Sequence, residues 1–85
     1  MKEFSYVIKD EIGIHARPAG LLAKEAKKYK STILLSKGDK EAEATKLMSI
    51  MGLGVKCKET VKITVVGPDE YEACEDMKLF FEENL

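Results

Sequence analysis

Two segments of the chain alternate between apolar and polar positions, as a half-buried β-strand does. Their apolar members are Phe4, Tyr6 and Ile8 in the first segment and Val61, Ile63 and Val65 in the second. The β-branched run 32–36 predicts a further strand, and the short polar segment 41–44 predicts another, at a sheet edge. The turn 37–40 between them contains Gly38, which can adopt a positive φ.

Three other segments repeat apolar residues at intervals of three and four, the spacing of a helix face. The first is predicted to run from Ala16 to Tyr29, with Ala19, Leu22, Ala23 and Ala26 on its buried face. The second covers 46–53, with Thr45 as its N-cap and Gly54 after its end. The third covers 70–83 behind an Asp69 cap. Its apolar stripe comprises Ala73, Cys74, Met77, Phe80 and Phe81.

The predicted element order is βαββαβα, within a chain of 85 residues that we expect to form one domain, 1–85. Polar outward strand faces and amphipathic helices predict an α+β fold. In this fold, one antiparallel sheet carries all the helices on one side.

Composition excludes several classes of function. A net charge of −1 argues against nucleic-acid binding. Neither a membrane-length apolar run nor a signal-peptide core is visible, so we expect a cytoplasmic protein without membrane insertion. Cys57 and Cys74 lack metal-ligand spacing, so we expect two free thiols and no metal site.

The chain's one histidine lies in the segment Ile12-Gly13-Ile14-His15-Ala16-Arg17-Pro18. Pro18 suits the first turn of a helix, so His15 should lie at the helix start, where unpaired N–H groups bind anions. We expect the backbone N–H groups of Ala16 and Arg17 to bind phosphate, with the Arg17 guanidinium beside them. An imidazole nucleophile next to an anion site is what reversible histidine phosphorylation requires. The alternative is that His15 is an ordinary helix cap.

Arg17, Gly20, Lys24 and Lys27 follow helical spacing on the face opposite the buried stripe. They form either a solvated basic face or a docking surface for an acidic partner that begins beside His15. In the second helix, Leu47, Ile50 and Leu53 are predicted to point inward. Met48 and Met51 then remain near the surface, as adaptable partner contacts or as fillers of core gaps.

Other chemistries lack their residues. The Asp-Ser-Leu attachment site of an acyl carrier is missing, as are a P-loop and a dinucleotide-binding glycine turn, so no cofactor is expected. Hydrolase chemistry lacks a base near His15 in the sequence.

The segments Gly13–Ala19 and Lys46–Gly54 resemble those of the HPr phosphocarriers of the bacterial sugar phosphotransferase system. Length and element order match across essentially the whole chain. The resemblance implies an open-faced β-sandwich, with four antiparallel strands and three helices on one face. It also implies that enzyme I, charged by phosphoenolpyruvate, passes a phosphoryl group to His15, which passes it to the IIA domain of a sugar permease. The δ nitrogen of His15 is the implied acceptor.

We expect the docking surface to comprise Gly20, Lys24, Lys27, Lys46, Leu47, Met48 and Met51, on a monomeric carrier. One position departs from the family: many relatives carry a regulatory serine where this chain has Lys46, so the serine switch is expected to be absent. Two functions therefore remain, a phosphocarrier and a regulatory module that binds other proteins. His15 and Arg17 favour the first.

Overall fold

The computed structural model describes all residues, 1–85, and has the element order expected from the sequence. The strands are β1 (Lys2–Val7), β2 (Thr32–Lys37), β3 (Lys40–Glu43) and β4 (Thr60–Val66). The helices are α1 (Ala16–Ala26), α2 (Leu47–Gly52) and α3 (Glu70–Asn84). No helix combines the length and the apolar character needed to cross a bilayer.

The four strands form one antiparallel sheet in the order β1-β4-β2-β3. Three helices accompany the sheet in an open-faced α+β sandwich, which confirms the predicted fold class. The polar strand β3 lies at an edge, as its composition predicted, and β1 forms the other edge. Central strand β4 pairs with both β1 and β2, so its alternating Val61, Ile63 and Val65 are fully buried.

Helix α3 is anchored by aromatic contacts with β1. The Phe81 ring packs edge-on against Tyr6 and Phe4, with ring centroids 5.5 and 6.1 Å apart. Most of the predicted stripe of α3 is fully buried, and Phe80 packs partly buried at its margin. This packing brings the C-terminal turn of α3 to the loop before α1, where the Lys9 and Asp10 N–H groups donate to the Leu85 carbonyl.

Helix α1 buries the predicted stripe but ends at Ala26, so the predicted end at Tyr29 is wrong. The N–H groups of Lys28 and Tyr29 donate to carbonyls three residues back, which tightens the chain into a final turn. The Tyr29 hydroxyl then lies 2.5 Å from Asp76 Oδ2 of α3 and 3.1 Å from Glu25 Oε2. Burial and these hydrogen bonds raise the pKa of Tyr29.

Two predicted caps are wrong in detail. Lys46, and not Thr45, occupies the N-cap position of α2, and its ammonium cannot accept a capping hydrogen bond from the helix N–H groups. Asp69 occupies the N-cap position of α3, but its carboxylate accepts instead from the N–H groups of Lys30 and Ser31 and from the Ser31 hydroxyl. The side chain of Asp69 therefore joins the α1–β2 connection to the start of α3.

Candidate functional site

His15 lies directly before α1, where its backbone is still extended at φ −102° and ψ −173°. Its carbonyl accepts the first helical hydrogen bond, from the Ala19 N–H at 3.0 Å. His15 occupies the N-cap position of α1, but its half-exposed imidazole makes no capping bond to the helix. The ring nitrogens are therefore not committed to holding the helix.

The position of His15 is fixed by a close approach between two loops. Gly13 has φ +82°, and a Cβ there would lie 2.4 Å from the Val55 carbonyl oxygen. That oxygen accepts the Ile14 N–H at 3.0 Å, and the His15 N–H donates back to the Gly13 carbonyl. Glycine is required at position 13 both for its left-handed φ and for this approach.

The helix start offers backbone donors, as the sequence predicted. Because the first intrahelical bond is made by Ala19, the N–H groups of Ala16 and Arg17 have no acceptor within the helix, and Pro18 has no N–H. These two N–H groups and the positive end of the helix dipole lie next to His15. This end of α1 can therefore stabilise an anion without any change of fold.

The side chains of His15 and Arg17 line one open cleft of about 280 Å³, together with the buried ring of Pro18. The other lining residues are Asp10, Leu21, Glu83 and Asn84. The structure thus brings the two predicted site residues into one cleft, and it adds two acidic residues, Asp10 and Glu83, that were not predicted there. Asp10 is near His15 in the chain, whereas Glu83 comes from the end of α3 and gives no local signal in the sequence.

The predicted docking residues lie on the exposed sides of α1 and α2, which pack against each other. Arg17, Lys24 and Lys27 are exposed, and a Cβ at Gly20 would meet nothing within 4 Å. The ammonium of Lys46 is paired with Glu43 Oε2 at 3.0 Å, so part of the positive charge expected there is neutralised.

The apolar side of this surface includes Leu47, which was expected both in the docking surface and pointing inward. Ile50 and Leu53 are buried, but Leu47 is 38% exposed, so its predicted inward position is wrong. With only six residues, α2 turns one narrow side to the core, and Leu47 in its first turn lies off that side. Met48 and Met51 are exposed at 76% and 38%, which supports partner contacts over gap filling.

No group of histidine, cysteine or carboxylate side chains is arranged to hold a metal ion. Cys57 and Cys74 are both free thiols, as expected. Burial raises the pKa of Cys74, which disfavours its thiolate.

Comparison with known proteins agrees with this geometry. The family described as PTS HPr component phosphorylation site matches residues 2–83. The phosphocarrier protein HPr of Mycoplasma genitalium is 41% identical over 85 residues, which cover 99% of this chain and 97% of that protein. The crystal structure of HPr-C-His from Thermoanaerobacter tengcongensis superposes with a TM-score of 0.93. It is 39% identical, and the match covers 99% of this chain and 94% of that one.

A crystal structure of an HPr dimer from Thermoanaerobacter tengcongensis is also similar, with a TM-score of 0.77 and 40% identity over 98% of this chain and 95% of that one. The monomeric state of this chain therefore stays a prediction. The matches over almost the whole chain show that it belongs to the HPr family, the phosphocarrier proteins of the phosphotransferase system.

Proposed function

We propose that this chain is a stoichiometric cytoplasmic carrier that accepts a phosphoryl group on His15 from phosphorylated enzyme I and passes it to IIA domains of sugar permeases. The observation that carries the proposal is the cleft in which His15 and Arg17 meet at the open start of α1. Phosphoenolpyruvate is the ultimate donor in this scheme. The carrier returns unchanged after each transfer, so it is a relay and not a catalyst in its own right.

In the transfer step, the lone pair of the neutral His15 imidazole, on the δ nitrogen, attacks the phosphorus. A nitrogen–phosphorus bond forms, the bond between phosphorus and the donor atom of enzyme I breaks, and that donor atom keeps the electron pair. In the second transfer, the accepting atom of the IIA domain attacks the phosphorus and bonds to it, the nitrogen–phosphorus bond breaks, and the His15 nitrogen keeps the electron pair. The product carries close to two negative charges at neutral pH.

The N–H groups of Ala16 and Arg17 and the Arg17 guanidinium stabilise this charge. Each interaction with an exposed helix N-terminus is worth roughly 0.3–1 kcal/mol. Such modest stabilisation suits a carrier, because tight phosphate binding would slow release to the next protein.

Labelling with enzyme I and isotopically labelled phosphoenolpyruvate tests the proposal. The native chain should take up one phosphoryl group in an acid-labile, base-stable linkage, and His15→Ala should take up none. Asp39→Asn, in the exposed β2–β3 turn, serves as the control and should be labelled like the native chain. Full labelling of His15→Ala, or an acid-stable product, would refute the assignment of His15.

We propose further that the serine switch of the family is absent. Lys46 has no hydroxyl, and it adds a cation where a phosphate would add about two negative charges. Incubation with the family's ATP-dependent kinase should leave this position unmodified. Thr45 is half-buried and Ser49 is exposed, so phosphate mapped to either residue that blocks transfer would show that the switch has moved.

The same surface supports a binding role with other regulatory proteins as a second function. The exposed Met48 and Met51 favour it, because flexible thioether side chains repack against different partners. A His15→Ala variant separates the two functions, since a purely regulatory partner would bind it as well as the native chain.

A further inference from the structure

The cleft at His15 contains more negative than positive charge before any phosphate arrives. Asp10 and Glu83 line it together with Arg17, its one cationic side chain. None of the ion pairs in the structure joins Arg17 to either carboxylate. The two acids therefore neither neutralise the guanidinium by direct contact nor are neutralised by it.

A backbone hydrogen bond holds the Asp10 carboxylate in the loop before His15. Asp10 Oδ1 accepts the Ile12 N–H at 2.9 Å, within the loop that leads to His15. The Asp10 N–H donates to the Leu85 carbonyl at 2.9 Å, which ties this loop to the end of α3. Glu83 lies in the last turn of α3, so this contact places its backbone beside the cleft, while its side chain is exposed.

We propose that Asp10 and Glu83 raise the phosphoryl-transfer potential of phosphorylated His15 by electrostatic repulsion. The inference rests on the proposed function, because it concerns the phosphohistidine that function requires. Arg17 and the helix start attract the phosphoryl oxygens, while the negative charges of Asp10 and Glu83 oppose the new charge. The balance keeps the phosphorylated protein high enough in free energy to give its phosphoryl group to the next acceptor.

The size of the effect follows from Coulomb's law in a solvated cleft. In water with partial screening by salt, a unit charge about one Debye length from a dianion changes an equilibrium constant about two- to five-fold. Neutralising one carboxylate should therefore favour the phosphorylated form by this factor, and neutralising both should favour it by about ten-fold. Since the residues are solvated, the effect should shrink as the salt concentration rises.

A competition experiment measures this quantity directly. Unlabelled Asp10→Asn or Glu83→Gln is mixed with an equal amount of the 15N-labelled native chain, a trace of enzyme I and limiting phosphoenolpyruvate. Enzyme I moves phosphoryl groups between the two carriers until they reach equilibrium. Intact mass spectrometry then gives the ratio of phosphorylated fractions, which reports relative transfer potential independently of binding rates.

Matched controls remove the effect of net charge. Asp39→Asn and Glu72→Gln make the same charge changes at exposed positions outside the cleft, Glu72 on the first turn of α3. We expect the cleft variants to hold more phosphate than the native chain at low salt, by the factors above, and the controls to match the native chain. Both cleft substitutions keep an oxygen acceptor of the same shape, so melting temperatures should stay close to the native value.

The inference would be overturned if the cleft and control variants held equal phosphorylated fractions. It would also be overturned if the excess phosphate on the cleft variants did not change with salt concentration. A failure of the proposed function gives a different result, because no carrier in the mixture would then be phosphorylated at all.

Discussion

Replacing Gly13 by alanine tests whether the loop contact at Val55 sets the position of His15. An alanine at φ +82° costs about 1–2 kcal/mol in backbone strain. Its Cβ would also lie 2.4 Å from the Val55 carbonyl oxygen and 2.8 Å from Lys56 Cα, both of them backbone atoms. Overpacking of this kind costs roughly a further 1–3 kcal/mol. The expected loss in the free energy of unfolding is therefore about 2–5 kcal/mol.

Gly38→Ala is the matched control, because it carries the strain without the clash. Gly38 has φ +62°, and nothing lies within 4 Å of a Cβ there. This variant should lose only about 1–2 kcal/mol. Urea unfolding followed by circular dichroism measures both losses, and a difference of 1 kcal/mol appears as roughly 4–8 °C in Tm for a domain of this size.

The functional consequence separates the two variants further. The Val55 oxygen that the new methyl group would press against is also the acceptor for the Ile14 N–H. Gly13→Ala should therefore move the segment before His15 and slow phosphoryl transfer even at temperatures where the protein is folded. Gly38→Ala should transfer at the native rate. Equal stability losses in the two variants, with equal transfer rates, would show that the loop approach does not position the site.

Three further changes probe the cleft, the basic face and the Asp69 contacts. Arg17→Ala should keep Tm within a few degrees of the native value. It should slow phosphoryl transfer from enzyme I about ten-fold or more in stopped-flow assays, since a hydrogen bond to a charged group contributes roughly 1.5–3 kcal/mol. An unchanged transfer rate would show that Arg17 does not take part in transfer. Reversing charge at both Lys24 and Lys27 should weaken binding to enzyme I and flatten its salt dependence in titration calorimetry. Hydrogen bonds from the Ser31 hydroxyl and the backbone lower the pKa of Asp69 from its ordinary value of 3.8. The ionised carboxylate therefore stabilises the fold fully above pH 3.8, and this stabilisation is lost as the pH falls through the lower pKa of the folded state. In Asp69→Asn, Tm should therefore fall less steeply than in the native chain as the pH drops below 3.8. The same fall of Tm in both proteins would contradict this role of Asp69.

Local periodicity predicted the elements of this fold because the apolar face of a strand or helix recurs at a fixed spacing along a short segment. Alternation located β1 and β4, and the four-residue repeat located the buried face of α1. The ends were less predictable, because they depend on contacts between distant segments. Tyr29 was assigned to α1, yet its hydroxyl is held by Asp76 of α3, and the helix has already ended at Ala26. Asp69 has the composition of a cap and is used instead to hold Ser31.

Some residues of the candidate site could likewise be predicted from the local sequence, whereas others are placed by contacts between distant segments. The placement of His15 and Arg17 together at a helix start could be inferred from a seven-residue segment, because a proline in the first helical turn gives that segment a defined geometry. Glu83 could not be inferred, since it reaches the cleft only through the packing of α3 against the loop before α1. Leu47 shows the corresponding limit for burial: in a helix of six residues, the apolar positions exceed the width of the face that the core can cover.

Under the proposed function, the hydrogen bond from Ile14 to Val55 would make phosphorylation of His15 depend on the completion of folding. Strand β1 pairs only with β4, and the His15 loop is held by residues about forty positions later in the chain. During synthesis, the N-terminal segment emerges from the ribosome long before either partner, and non-local pairing of this kind closes late. A partly made or misfolded chain would present histidine without the helix start and the fixed loop that make it an acceptor. Enzyme I would therefore discriminate finished carriers from unfinished ones, and uptake of phosphate can serve as a measure of native protein in a refolding experiment.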